Sequence, residues 1–135
     1  MRFARTGWVC CFLLCRCSLG PSASDKAEAG LISRAIDVLR DAPNASKGAL
    51  LDGLKSVNCS VPDLCELQRV CVDGYGQHVA ALSETERAKG LLASGGDASE
   101  ASRTLDYARA ELAEAAPKIA HCADAEGAAR RKYKP

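Results

Sequence analysis

Residues 94–122 read SGGDASEASRTLDYARAELAEAAPKIAHC. Ser94-Gly95-Gly96 is a helix stop. Asp97 follows as an N-cap, with Glu100 three residues on as its capping-box partner. Beyond them Leu105, Ala108, Leu112, Ala115, Ile119 and Cys122 recur at alternating steps of three and four. That spacing is an a/d seam, built to pack against a second helix. Pro117 falls off the seam and predicts a kink.

The partner lies just before the turn. Ser60 offers an N-cap, and Pro62 sits near a first helical position, where its missing N–H costs nothing. From there a helix is predicted to about Ser94, with Leu64, Leu67, Cys71, Tyr75, His78, Leu82 and Leu91 on one stripe. Gly74 and Gly76 weaken it by about 1 kcal/mol each relative to Ala. If the two helices form an antiparallel hairpin, residues equidistant from the turn face each other. Cys71 and Cys122 are equidistant from a point between Gly96 and Asp97. A disulfide there would clamp the open end, worth about 4 kcal/mol in the chain-entropy model. Cys59 and Cys65 are left to pair across the Asn58–Pro62 break.

Two shorter helices precede the hairpin. Residues 26–41 place Leu31, Ile32, Ala35, Val38 and Leu39 on one face. Asp41-Ala42-Pro43-Asn44 ends that helix with turn chemistry. A weaker helix over 46–57 takes Ser46 as N-cap and turns Leu50, Leu51, Leu54 and Val57 inward. The fold class is all-α: an up-down four-helix bundle with an antiparallel hairpin over 62–125, stapled by disulfides.

Composition sets the bounds. The chain has 135 residues, enough for one small domain, and only 4% are aromatic, so the core is aliphatic and alanine-rich. The net charge of +1 provides no field for nucleic acid. Residues 1–24 read as a secretory signal: Arg2 and Arg5 are basic, Trp8 to Leu14 is apolar, and Ser22-Ala23-Ser24 offers a cleavage site. The apolar run is too short to span a bilayer. Removal takes three arginines and leaves 15 basic residues against 17 acidic, a net charge of −2. It also leaves four of the eight cysteines, an even set that reads as two disulfides in an exported domain. That domain spans 25–128. Residues 129–135, including Arg130-Arg131-Lys132, read as a basic tail, frayed and solvated. Asn44-Ala45-Ser46 and Asn58-Cys59-Ser60 are glycosylation sequons.

The residues offer little chemistry. His78 lies on an apolar stripe. His121 adjoins Cys122, but neighbouring helical residues point about 100° apart. Cys59, Cys65 and Cys71 lack zinc-ligand spacing. Glu84/Glu86 and Glu111/Glu114 read as solvated helix surface. No nucleophile with a base and an orienting group is visible. The expectation is a non-enzyme without metal or cofactor.

Cys71-Val-Asp-Gly-Tyr75-Gly-Gln-His-Val79-Ala-Ala-Leu82 resembles the third-helix motif of the plant invertase and pectin methylesterase inhibitor family. Gly96-Asp97 matches that family's following turn, and the Ala-rich helix ending in Cys122 matches its fourth helix. Ala35-Ile36 and Leu51–Leu54 resemble the preceding helices. The resemblance covers about 30–125 and is most specific over 71–122. It implies a secreted four-helix bundle with an N-terminal helical hairpin. The family's first cysteine pair has no counterpart, since Cys59 and Cys65 lie elsewhere. Several invertase inhibitors carry Pro-Lys-Phe after the turn, where this chain has Ala98-Ser99. The function implied is an extracellular or apoplastic inhibitor of a cell-wall carbohydrate-active enzyme, with pectin methylesterase as the first target. The other class is an extracytoplasmic helical interaction protein with no enzyme target. A monomer is expected, with a protein partner, no nucleic acid and no stable membrane insertion.

Overall fold

Two long helices dominate the structure, a computed structural model that describes residues 20–135. Residues 1–19 of the expected leader lie outside that range. Helix α1 is Ala23–Asp41, followed by a 3-10 turn over Asn44–Ser46. Helix α2 is Lys47–Ser56, α3 is Pro62–Ala93 and α4 is Ala98–Tyr133. There are no strands among the described residues, and the all-α helical bundle expected from the sequence is present.

The turn between α3 and α4 uses both glycines. Gly95 N–H donates to Leu92 O at 3.2 Å, and Gly96 N–H to Leu91 O at 2.8 Å. This pair of bonds is a Schellman motif. Gly95 has φ +71°, which favours glycine, and a Cβ on Gly96 would lie 2.9 Å from Leu91 O. Asp97 then caps α4 by accepting from Ser99 N–H at 2.7 Å. Glu100 does not complete the expected box; its carboxylate lies 3.7 Å from Arg87 across the hairpin.

The bundle is uneven. At 1.5 Å per residue, α3 and α4 extend about 48 and 54 Å. Helices α1 and α2 cover only about half of the hairpin, the half away from the Gly95-Gly96 turn. There Ile32, Ile36 and Leu39 of α1 and Leu51 and Leu54 of α2 are buried. They meet Leu64, Leu67, Cys71 and Tyr75 of α3 and Cys122 and Tyr133 of α4. Toward the tip, the buried positions narrow to Ala81 and Ala88 facing Ala101, Thr104 and Ala108.

The α1 face differs from expectation. Ala29, Ile32, Ser33, Ile36 and Leu39 face inward, while Leu31 and Val38 are 57% and 49% exposed. Helix α1 also starts earlier, capped by Ser22 in a reciprocal box with Asp25. Ser46 makes no side-chain cap; α2 instead follows directly from the 3-10 turn. Ser60 is not the cap of α3, which begins from Val61. Glu28 of α1 does that work from a distance, accepting from Ser60 N–H at 2.8 Å and Val61 N–H at 3.0 Å.

The basic tail is not frayed. Helix α4 continues through Pro117 to Tyr133, with Ala129 9% and Tyr133 2% exposed. Asp63 accepts from Tyr133 Oη and Lys132 Nζ, each at 2.6 Å. Burying Tyr133 and pairing Lys132 give the last turns a reason to stay helical.

Candidate functional site

The α3–α4 hairpin is the candidate docking surface, and its register rests on covalent and polar ties. Cys71 and Cys122 form a disulfide, with Cα atoms 4.7 Å apart. Both are essentially inaccessible to solvent. Cys59 and Cys65 form the second bridge, Cα to Cα 5.4 Å. Beside the clamp, Lys118 Nζ lies 3.1 Å from Asp73. One turn further, Gln77 donates to Glu114 at 2.8 Å. Nearer the tip, Arg87 donates to Thr104 Oγ1 at 3.1 Å. These partners step outward in opposite directions along the two helices, as a single antiparallel register requires.

The helices approach closely enough to exclude a side chain. A Cβ on Gly74 would lie 3.0 Å from both Ile119 N and Lys118 C. The sequence reads Gly74 as a weakness in α3; in the structure it is a point of close packing. The same closeness decides the seam. Ala101, Ala108 and Ala115 are buried in the middle, whereas Leu105, Leu112 and Ile119 flank it half-buried. A seven-residue spacing of small residues keeps that face toward the partner helix.

The outer surface of the hairpin carries Tyr107, 58% exposed, and Leu92 at the tip, 53% exposed. The neighbouring Glu111 carboxylate, with Glu84 and Glu114 further off, holds the Tyr107 phenol above its ordinary range. Glu84 pairs with Arg87 at 2.9 Å and Glu86 with Lys89 at 2.6 Å. The carboxylates singled out in the sequence are thus engaged along the hairpin surface.

The two histidines are not brought into one constellation with the cysteines, which are bridged. Burial and the neighbouring Lys47 ammonium push the half-buried His78 below its ordinary value. His121 is exposed beside Glu66, at the mouth of a shallow groove with Asp63 and Lys132. Glu28, Cys59 and Cys65 place ligand-type atoms within 4.8 Å of one another. The two sulfurs are joined to each other, and Glu28 is committed to Ser60 and Val61, so this set does not fit a metal. Both sequon asparagines, Asn44 and Asn58, are exposed.

Several organising polar groups are not apparent in the sequence. Lys47 is 7% exposed and donates to Leu39 O at 2.8 Å and Arg40 O at 3.0 Å, capping the end of α1. Gln68 Nε2 caps α2 through Leu54 O and Val57 O at 2.7 and 2.8 Å. Glu126, 3% exposed, pairs with Arg40 and Arg130. Continuing the α4 stripe past Cys122 in steps of four and three reaches Glu126, Ala129 and Tyr133, so that signal was available.

A second surface lies between α1 and α2. Val38, Pro43 and Leu50 line an open groove of about 640 Å³. A smaller depression lined by Leu31, Ala35 and Leu50 adjoins it. No helix among the described residues is long and apolar enough to cross a membrane. No family model, curated protein or solved structure matches the chain.

Proposed function

We propose that the chain is an exported, disulfide-stapled binding protein that docks its α3–α4 hairpin on a protein partner and performs no chemistry of its own. The observation that carries this reading is the hairpin's extension beyond the four-helix core. Residues near the tip add little to the core, yet they are held in register by an alanine seam and polar ties. Such a projection is preorganised, which lowers the ordering cost of binding. Tyr107 and Leu92 supply exposed anchors of the kind that dominate interfaces.

The resemblance over 71–122 directs the choice of partner toward a cell-wall carbohydrate-active enzyme, pectin methylesterase first. The mode would be coverage of the substrate cleft. The two disulfides suit an extracellular or apoplastic setting. Titrating pectin methylesterase and acid invertase with the oxidised mature protein tests this reading. Stoichiometric, reversible and pH-dependent loss of esterase activity is expected, and it should disappear on reduction. No effect on either enzyme at micromolar protein with intact disulfides refutes inhibition.

The α1–α2 groove favours a second reading, an extracytoplasmic interaction bundle with no enzyme target. Leu31 and Val38 are large apolar residues left uncovered there. Under that reading a partner helix fills the groove, and the hairpin is a spacer.

A further inference from the structure

The 3-10 turn that separates α1 from α2 holds the first sequon. Asn44, Ala45 and Ser46 are all exposed on it. Ser46 N–H donates to Pro43 O at 2.9 Å, and Lys47 N–H returns to Asn44 O, so the turn is fixed by backbone bonds. Asn44 stands at the edge of a half-open groove of about 540 Å³ between the start of α2 and the middle of α3. The floor is apolar: Gly48, Val79 and Leu82. Gly48 keeps it open on the α2 side, where an added Cβ would reach to 3.8 Å from Val79 Cγ1. The rim is polar, with Glu86 and Lys89 paired at 2.6 Å.

We infer that Asn44 carries an N-linked glycan whose first N-acetylglucosamine lies in this groove. An N-acetylated pyranose presents C–H faces and an acetamido methyl beside a rim of hydroxyls. The floor matches the first, and the carboxylate and ammonium of Glu86 and Lys89 match the second. The inference rests on the export reading above, because the modification needs a glycosylating secretory route. In the transfer, Asn44 Nδ2 bonds to the anomeric carbon of a polyprenyl diphosphate-linked oligosaccharide. The bond from that carbon to the phosphate oxygen breaks, polyprenyl diphosphate leaves, and the amide proton passes to a base of the transferring enzyme.

The second sequon provides a contrast. Cys59 is bridged to Cys65, and the Ser60 hydroxyl donates to Glu28 at 2.5 Å. A sugar on Asn58 would therefore stand beside the disulfide loop and the Glu28 cap, not on an apolar floor.

The test is expression of the full chain in a secreting eukaryotic cell, with peptide mapping after amidase release of glycans in heavy-oxygen water. The Asn44 peptide should appear as labelled aspartate, and Ser46→Ala should abolish that label while both disulfides still form. In the intact glycoprotein, the acetamido methyl should give nuclear Overhauser contacts to the Val79 and Leu82 methyls. Leu82→Ser should keep the sugar on Asn44 but lose the Leu82 contact and weaken that to Val79. Exported, disulfide-bonded protein with unmodified Asn44 overturns the inference while leaving export standing. A glycan on Asn44 with no contact to either methyl overturns the seat. A retained, reduced chain removes the export reading and the glycan together.

Discussion

Replacing Gly74 by alanine should destabilise the protein, against the usual trend for helices. In an unencumbered helix interior, Gly→Ala gains about 0.5–1 kcal/mol through propensity and unfolded-state entropy. At Gly74 the new Cβ meets Ile119 N and Lys118 C, each at 3.0 Å, and Lys118 Cβ at 3.2 Å. The first two are backbone atoms and cannot turn aside as a rotamer can. Moving α4 away would work against the Cys71–Cys122 staple one turn distant, where the Cα atoms are 4.7 Å apart. Overpacking of this kind costs about 1–3 kcal/mol. Set against the propensity gain, the net loss should be about 1 kcal/mol, within a span of about 0–2.5 kcal/mol. Gly76 and Gly90 in the same helix are the controls. A Cβ on Gly76 meets only Leu51 Cδ2 at 4.0 Å, and one on Gly90 meets nothing within 4 Å. Both Gly→Ala changes should stabilise, by up to about 1 kcal/mol. The assay is urea unfolding followed by far-UV circular dichroism, with the disulfides of each variant verified by intact mass. A Gly74→Ala protein as stable as the Gly90→Ala protein would refute the close helix approach on which the hairpin geometry rests.

The remaining predictions concern the staples and caps. The Cys71–Cys122 bridge closes a separation of 51 residues and Cys59–Cys65 one of 6. Paired Cys→Ala variants should lose about 4 and 2 kcal/mol respectively, and the reverse order in urea unfolding would contradict the loop-closure account. Lys47→Met should cost about 1–3 kcal/mol by leaving the Leu39 and Arg40 carbonyls without their donor, with faster amide exchange at the end of α1 as the specific sign. The Ser60 hydroxyl, then the Val61 N–H, hold Glu28 below its usual value near 4.5. Lys132 and Tyr133 likewise hold Asp63 below its usual value near 3.8. Because both folded values are depressed, their stabilisation is complete above about pH 4.5 and is lost as pH falls through the folded values. Glu28→Gln should cost about 1–2 kcal/mol at neutral pH and flatten the acid limb of a stability–pH curve; an unchanged acid limb would count against the Glu28 cap.

The hairpin was legible because its signals are local and redundant. The Gly95-Gly96 stop, the Asp97 cap, the stripe to Cys122 and the equidistant cysteines all specify one register. Agreement across such levels marks a sequence that specifies its fold. The seam was legible in part. Ala108, Ala115 and Cys122 are buried as expected, but close approach at Gly74 leaves Leu105, Leu112 and Ile119 half-buried on its flank, and Ala101 extends it toward the tip. The α1 face was harder, because Leu31 and Val38 satisfy the helical period as well as Ile32 and Leu39 do. Which side is covered depends on where the much later hairpin lies. Long-range caps were invisible for the same reason. Glu28 acts 32 and 33 residues away, and a lysine such as Lys47 reads as solvated until the end of α1 is placed over it.

The proposed docking surface is the projecting part of the hairpin. A matched shortening tests it most directly. Deleting residues 82–88 and 105–111 removes one heptad from each helix, opposite each other in the register set by Cys71 and Cys122. Both disulfides, the Gly95-Gly96 turn and the core under α1 and α2 are kept, while Tyr107 is lost. Pectin methylesterase activity is then titrated with the full-length oxidised protein and with the shortened one, after both show native disulfides and cooperative unfolding. Stoichiometric inhibition by the first and its loss in the second are expected. Equal inhibition by both would place the contact elsewhere, and absence of inhibition by the full-length protein would contradict the inhibitor reading itself.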